Sequence, residues 1–156
     1  AAVRERPRGG GARVGRGGVA GCARGSWAGG DVRVLVVQRP DDGLLAGMWE
    51  FPWTEVPEEA SDEEAARRVE NVLRDVYGVS AERVGRLPDV KHVFSHLRWR
   101  LRPFAYRLVE QDTASMDEDG AATRLWVQAR RLGELPFGRA HRRIAQAWRR
   151  AAKRPE

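Results

Sequence analysis

The feature that most constrains the fold is a stretch whose sequence marks both ends of a helix. Five apolar side chains within residues 61–77 recur at helical spacing and form one stripe. They are Ala65, Val69, Val72, Leu73 and Val76. Ser61 and Glu64 have the spacing of a capping box, and Gly78 follows where helices commonly end in a left-handed residue. We therefore predict a helix over residues 61–77.

Strand patterns lie on both sides of this helix. Residues 32–38 form a β-branched run with the length and composition of a buried strand. Residues 83–109 look like paired strands, because apolar residues alternate there with arginines, which is typical of a half-exposed strand. The alternating residues are Leu97, Trp99 and Leu101 with Arg98, Arg100 and Arg102. A short strand at 125–127 and a helix near 139–152 complete the pattern. This order predicts an α+β or mixed α/β fold, with a mixed β-sheet flanked by helices.

Composition divides the chain into a tail and one domain. Residues 1–30 hold ten of the seventeen glycines, which predicts a flexible linker or a disordered tail. A strand near Val19–Ala23 is the alternative, although glycine disfavours it. Residues 31–152 are long enough for a single core and are predicted as the domain, and residues 153–156 as a short terminal tail.

The net charge of +6 is unevenly distributed. Residues 1–30 carry six arginines and one glutamate, residues 31–123 carry twelve basic and nineteen acidic side chains, and residues 124–156 carry ten basic and two acidic ones. A basic C-terminal third could follow a phosphate backbone, although biased codon usage would also enrich arginine. The side chains predicted to contact phosphates are Arg98, Arg142 and Arg143.

Cysteine content bears on the compartment. The single cysteine, Cys22, cannot form an internal disulfide or a cysteine-rich metal site, so we expect an intracellular protein. No apolar run has the length of a membrane span, and no secretory leader is recognisable, so no membrane partner is expected. The expected location is the nucleus or a mitochondrion in a eukaryote and the cytoplasm in a bacterium.

The strand at 32–38, the segment Trp49–Pro52 and the helix followed by Gly78-Val79 together resemble the Nudix scaffold. Nudix hydrolases hold Mg²⁺ with several carboxylates on one helix face. With Gly78-Val79 aligned to the end of the family's motif, Glu63 matches the first glutamate. The three positions expected to carry the helix carboxylates hold Val72, Asp75 and Val76. Because two of the three are valine, we predict no catalytic residues and no metal site.

A cluster of acidic residues at the start of the helix could be mistaken for metal ligands. Its members are Glu58, Glu59, Asp62, Glu63 and Glu64. Carboxylates in this position favour the helix dipole and stay solvated, so we interpret them as structural.

Two further segments give a more specific resemblance. Leu44–Pro52 and the His-x-Phe-Ser-His segment His92–His96 occur in that order, separated by the helix, and resemble the C-terminal domain of MutY-type adenine DNA glycosylases. The resemblance covers roughly residues 31–150. That family has an apolar strand ahead of residue 32, whereas residues 14–27 here are rich in glycine and arginine, which puts one sheet edge in doubt.

The resemblance implies a function and its residues. It implies that Phe94, Ser95 and His96 meet 8-oxoguanine opposite adenine in double-stranded DNA, with Ser95 at the lesion edge and His92 nearby. It also implies a separate N-terminal glycosylase domain of the same parent protein. That domain excises adenine and holds an iron–sulfur cluster, while this chain is expected to need no cofactor.

Other interpretations of these residues stay open. Phe94 could be a core residue, His92 a structural one and Ser95 a turn former. The aromatic residues interpreted as core are Trp49, Phe51, Trp99 and Trp126. As a whole, the chain could instead be a diverged Nudix hydrolase acting on oxidised nucleotides, or a general nucleic-acid-binding module.

Overall fold

Eight strands and three helical segments occupy the residues that the computed structural model describes, which are 13–25, 32–39, 47–94, 97–111 and 123–153. The strands are β1 (Arg13–Arg24), β2 (Arg33–Gln38), β3 (Trp49–Glu50), β4 (Trp53–Glu55), β5 (Val79–Arg86), β6 (Val90–Phe94), β7 (Leu97–Gln111) and β8 (Thr123–Gln128). The helices are α1 (Asp62–Tyr77), a 3₁₀ helix (Ala129–Glu134) and α2 (Arg139–Lys153). The predicted helices and the strands at 32–38 and 125–127 are thereby confirmed.

All eight strands belong to one mixed sheet. Its main path runs β3-β2-β1-β7-β5, while β4 pairs with β1, β6 with β7 and β8 with β2. The strands β1 and β7 are parallel, and the other pairs are antiparallel. One apolar cluster packs the sheet against α1, and a second packs its other face against α2 and the 3₁₀ helix. This architecture confirms the predicted mixed sheet flanked by helices.

The predicted linker is wrong for Arg13–Arg24, which form β1 in the middle of the sheet. Its glycines are there because neighbouring side chains take up the space of a β-carbon. A β-carbon on Gly17 would lie 2.8 Å from Leu101 Cδ2, and one on Gly21 would lie 2.2 Å from Trp148 Nε1. The glycine-rich composition of residues 14–27 also put one edge of the sheet in doubt. That expectation is wrong for β1, because eleven of its residues pair with β7.

The aromatic residues interpreted as core lie in or against the core. Trp49 and Phe51 are buried, and Phe51 stacks on Phe137 with ring centroids 5.3 Å apart. Trp99 and Trp126 are partly buried and pack against the two clusters. These rings fill the interior of the protein.

Both predicted ends of α1 are confirmed. The one difference from a capping box is that the Glu64 carboxylate pairs with arginines of its own helix. Ser61 Oγ accepts a hydrogen bond from the Glu64 amide at 3.1 Å, and Gly78 is left-handed with φ 66°. The Glu64 carboxylate pairs with Arg67 and Arg68 on the next turn. Hydrogen bonding from Arg68 therefore holds the pKa of Glu64 below its usual value.

Arg124 on β8 caps the other end of α1. Its guanidinium donates to the carbonyl oxygens of Val76 and Tyr77, both at 3.3 Å, and lies 5.0 Å from the centroid of the Tyr77 ring. We expect Arg124→Ala to lower the free energy of unfolding by about 1 kcal/mol, because these terminal carbonyls lose a cationic donor. Urea denaturation measures the change. Arg74→Ala is the control: Arg74 lies in the same turn but pairs on the surface with Asp75. Equal losses in the two variants would contradict the capping role.

Candidate nucleic-acid interface

The Phe-Ser-His motif lies where β6 turns into β7. The two strands pair from Val90 opposite Leu101 to Phe94 opposite Leu97, so only Ser95 and His96 connect them. Ser95 and His96 lie outside the described residues. For His92 and Phe94 only the backbone pairing is described, with His92 opposite Trp99. The lesion contacts of these four residues therefore stay predictions.

An open, basic cavity lies beside this connection. It has a volume of about 740 Å³ and is lined by Arg16, Asp89, Lys91, Val93, Arg98, Trp99 and Arg100. Val93 and Arg98 pair across the strands one position from Phe94 and Leu97, so the cavity lies at the end of the strand pair that leads to the motif. Four of its lining side chains are cationic and one is acidic.

The acidic residue, Asp89, offsets only part of this charge. It accepts from Arg86 at 2.6 Å and from Arg100 at 2.8 Å. Burial opposes its ionisation, but the hydrogen bonds from Arg86 and Arg100 hold the pKa of Asp89 below its usual value. The carboxylate is therefore ionised and paired with Arg100, and Arg16 is paired with Glu58 at 3.3 Å. The cavity keeps the positive charge of Lys91 and Arg98, which suits an anion.

The arginines of β7 do not share one environment, contrary to the predicted alternation. Arg98 is exposed at the cavity. Arg102 is only 4% exposed and lies under the start of α1, where its Nη1 is 3.2 Å from Asp62 Oδ1. The difference arises because α1 covers β7 near Arg102, which a strand pattern alone does not reveal. Arg98 is available for the predicted phosphate contact, and Arg102 is a structural residue.

The acidic cluster at the start of α1 is engaged in ion pairs with other elements. Glu63 pairs with Arg83 at 2.8 Å, and Asp62 pairs with both Arg86 and Arg102. A hydrogen bond from Arg86 is the largest cause that lowers the pKa of Asp62. These carboxylates tie α1 to β5 and β7, in addition to favouring the helix dipole.

The positions of the Nudix helix carboxylates carry no ligand set. Val76 is 55% exposed, Val72 is half-buried, and Asp75 pairs with Arg74. Within the described ranges, no group of three histidine, cysteine, aspartate or glutamate side chains could hold a metal ion. This surface lacks the carboxylates that Mg²⁺-dependent hydrolysis requires.

The helix α2 brings two more of the predicted phosphate ligands to the surface. Arg143 Nη1 donates to the Lys91 carbonyl of β6 at 2.7 Å, and Arg142 Nη2 donates to the Phe137 carbonyl at 3.4 Å. Both residues are exposed. Lys91 and Arg100 also line the cavity but are not among the residues selected from the sequence, although Arg100 follows Arg98 in the same alternation.

With this geometry in place, comparison with known proteins assigns the family. A family model described as a NUDIX domain matches residues 26–147, which is most of the chain. The chain belongs to the NUDIX domain family. The NUDIX match includes α1 and the β6–β7 connection, so both lie within the family's common scaffold.

The curated relatives of this NUDIX domain include adenine DNA glycosylases, which confirms the predicted resemblance. The chain is 38% identical over 94 residues to the adenine DNA glycosylase of Mus musculus, covering 60% of this chain and 18% of that protein. It spans less than a fifth of the length of the curated relatives it matches.

Solved structures agree on the fold. The C-terminal domain of mouse MUTYH, solved in complex with human PCNA, superposes with a TM-score of 0.63 at 23% identity and covers 88% of each chain. The Escherichia coli ORF135 protein superposes with a TM-score of 0.63 at 19% identity, covering 97% of this chain and 100% of that one. At these identities the likeness concerns the fold alone.

None of the helices that the structure describes has the length and apolarity needed for a membrane crossing.

Proposed function

We propose that this NUDIX domain recognises 8-oxoguanine opposite adenine in duplex DNA, as the lesion-reading part of an adenine DNA glycosylase. The observation that carries the proposal is the Phe94-Ser95-His96 segment at the β6–β7 connection, next to a cavity with an excess of positive charge. The adenine DNA glycosylases among its relatives support the same biological setting, DNA repair.

The chemistry of this segment suits the lesion. Guanine presents an acceptor at N7 in the major groove, whereas 8-oxoguanine presents an N7–H donor beside the O8 acceptor. A serine hydroxyl both donates and accepts, so Ser95 can bind this edge. Phe94 can act as an apolar wedge between bases, and His96 and His92 can donate to or accept from a base or a phosphate. Arg98 at the cavity supplies a phosphate contact.

The excision step belongs, in this proposal, to a separate domain of the parent protein that holds an iron–sulfur cluster. Such a cluster needs four cysteine thiolates. The only cysteine here, Cys22, is buried, and burial raises the pKa of its thiol to about 12, so it is unsuited to act as a thiolate ligand. In this proposal the chain recognises the lesion, and another domain of the parent protein cleaves the N-glycosidic bond. We place the parent in the nucleus or a mitochondrion of a eukaryote, or in the cytoplasm of a bacterium.

Substitution of Ser95 tests the proposal. Dissociation constants are measured by fluorescence anisotropy for two duplexes that differ only in having 8-oxoguanine or guanine opposite adenine. We expect the chain to prefer the 8-oxoguanine duplex, and Ser95→Ala to reduce that preference by roughly 1–3 kcal/mol, the value of a good base-edge contact. The loss arises because alanine can neither donate to O8 nor accept from N7–H.

Ser80→Ala is the matched control, because Ser80 is an exposed serine of the edge strand β5, outside the cavity lining. It should leave the preference unchanged. Intact discrimination in Ser95→Ala would show that the assignment to Ser95 is wrong. Mg²⁺-dependent release of pyrophosphate from 8-oxo-dGTP, without duplex preference, would favour a diverged Nudix hydrolase instead.

A further inference from the structure

The exposed arginines of this protein differ in pairing. A first group, on α1 and β5 and including Arg131 of the 3₁₀ helix, has carboxylates close by. These pairs are Arg67 and Arg68 with Glu64, Arg74 with Asp75, Arg83 with Glu63, and Arg131 with Glu134. Their charge is therefore largely neutralised at the surface, and such pairs add little attraction for a distant polyanion.

The second group forms one face of α2, and we call it the α2 arginine stripe. It consists of Arg139, Arg142, Arg143 and Arg150, all of them exposed. At 3.6 residues per turn these positions fall within an arc of about 100°, opposite the buried Ile144 and Trp148. The helix contains no acidic residue, and no carboxylate of the described residues pairs with the stripe.

The helix dipole does not account for the N-terminal part of this stripe. A helix N-terminus favours negative side chains, and α1 follows this rule with Asp62, Glu63 and Glu64 in its first turn. The helix α2 instead begins with Arg139 and has no acidic residue in its first turn. The positive charge of Arg139 and Arg142 is thus placed where the helix dipole opposes it, which points to an external anion. Arg150 lies near the other end of the helix, where the dipole favours a cation.

The stripe adjoins the candidate interface. Arg143 donates to the Lys91 carbonyl, and Lys91 is an exposed cation that lines the basic cavity with Arg98. Lys91 precedes Phe94 by three residues of β6, or roughly 10 Å. From Arg139 to Arg150 the helix rises about 17 Å, which matches some five base pairs of a DNA axis. One anionic backbone could therefore contact both the stripe and the cavity.

We propose that the α2 arginine stripe binds the sugar-phosphate backbone of duplex DNA without regard to sequence or lesion. The inference rests on the proposed function for the choice of duplex DNA as the polyanion. The stripe supplies affinity through phosphate neutralisation and counterion release, while the β6–β7 connection supplies discrimination.

The test compares two triple variants of the full chain that carry the same change in net charge. Arg142→Gln/Arg143→Gln/Arg150→Gln alters the stripe, and Arg67→Gln/Arg68→Gln/Arg74→Gln alters paired arginines of α1. Anisotropy with a lesion-free 20-base-pair duplex is recorded from 50 to 200 mM KCl. We expect the stripe variant to bind at least about 10-fold more weakly at 50 mM and to lose about 2–3 from the slope of log K against log salt. The α1 variant should stay within about twofold of the parent chain.

A third variant separates charge from folding. Arg142→Lys/Arg143→Lys/Arg150→Lys keeps the charge and should retain most of the affinity, with circular dichroism showing that all three variants are folded. Equal losses in the stripe and α1 variants, or losses in the lysine variant as large as in the glutamine variant, would overturn the proposal. So would binding of the parent chain to phosphatidylserine vesicles but not to the duplex.

Failure of this proposal is distinguishable from failure of the proposed function. The stripe variant should weaken binding to the 8-oxoguanine and guanine duplexes by the same factor and leave their ratio intact. A chain that shows no lesion preference, but still loses duplex affinity in the stripe variant, would refute lesion reading alone. A chain with full lesion preference and an inert stripe would refute the stripe alone.

Discussion

Replacing Gly21 with alanine will lower the free energy of unfolding by about 3 kcal/mol, the upper part of the range for overpacked cores. The added methyl group would lie 2.2 Å from Nε1 and 2.5 Å from Cζ2 of Trp148, both atoms of a rigid indole ring. Trp148 is buried between α2 and the sheet. Either the indole leaves its position or α2 shifts away from β1.

Urea denaturation of Gly21→Ala measures this cost, and Gly85→Ala is the control. Gly85 lies in β5 with nothing within 4 Å of the added methyl group, so alanine there should be neutral or slightly stabilising. In a Trp148→Leu background, Gly21→Ala should cost less than about 1 kcal/mol, because the steric conflict is gone. A cost that is the same in both backgrounds would show that the indole is not the cause.

The glycines of β1 show why this strand could not be predicted from local sequence. Glycine weakens isolated strands, so a segment rich in it favours a linker by every local criterion. What requires glycine here is Trp148, which lies 127 residues further along the chain, and Trp53 and Leu101 at Gly17. Periodicity reveals α1 and β2 because their patterns are local, whereas β1 depends on contacts that only the folded sheet creates.

Some features of the candidate interface could likewise be predicted from the local sequence, whereas others depend on contacts between distant parts of the chain. The motif Phe94-Ser95-His96 and the exposure of Arg98 could be predicted, since a resemblance and an alternating strand are both readable along the chain. The burial of Arg102 could not, because α1 covers it from forty residues away. The sequence also selects Arg142 and Arg143 of the α2 arginine stripe. It does not reveal the contrast in pairing, which appears only once carboxylates are seen to pair with the arginines of α1 and β5.

The stability of the protein should fall by about 2 kcal/mol between pH 7.5 and pH 5.0 through His141 alone. Its Nδ1 accepts a hydrogen bond from the Phe51 amide at 3.1 Å, and its ring stacks on Phe51 with centroids 6.0 Å apart. Burial, with a smaller contribution from the positive charge of Arg39, lowers the pKa of His141 to about 4. An unfolded histidine has a pKa of about 6.5, so the unfolded state gains the proton first as the pH falls. The folded state is therefore progressively disfavoured below pH 6.5, and the loss is complete near pH 4.

Urea denaturation at both pH values tests this expectation, with His141→Asn as the variant because an asparagine oxygen can replace Nδ1 as the acceptor. The comparison stops at pH 5.0 because of Glu50. Burial raises the pKa of Glu50 above its usual value despite its pairing with Arg39. Protonation of Glu50 would oppose the His141 effect at lower pH. Ser80→Ala, at an exposed residue without a group that titrates in this range, is the control and should keep the full pH dependence. Since the asparagine variant has no imidazole to protonate, an unchanged pH dependence in His141→Asn would assign the effect to other groups.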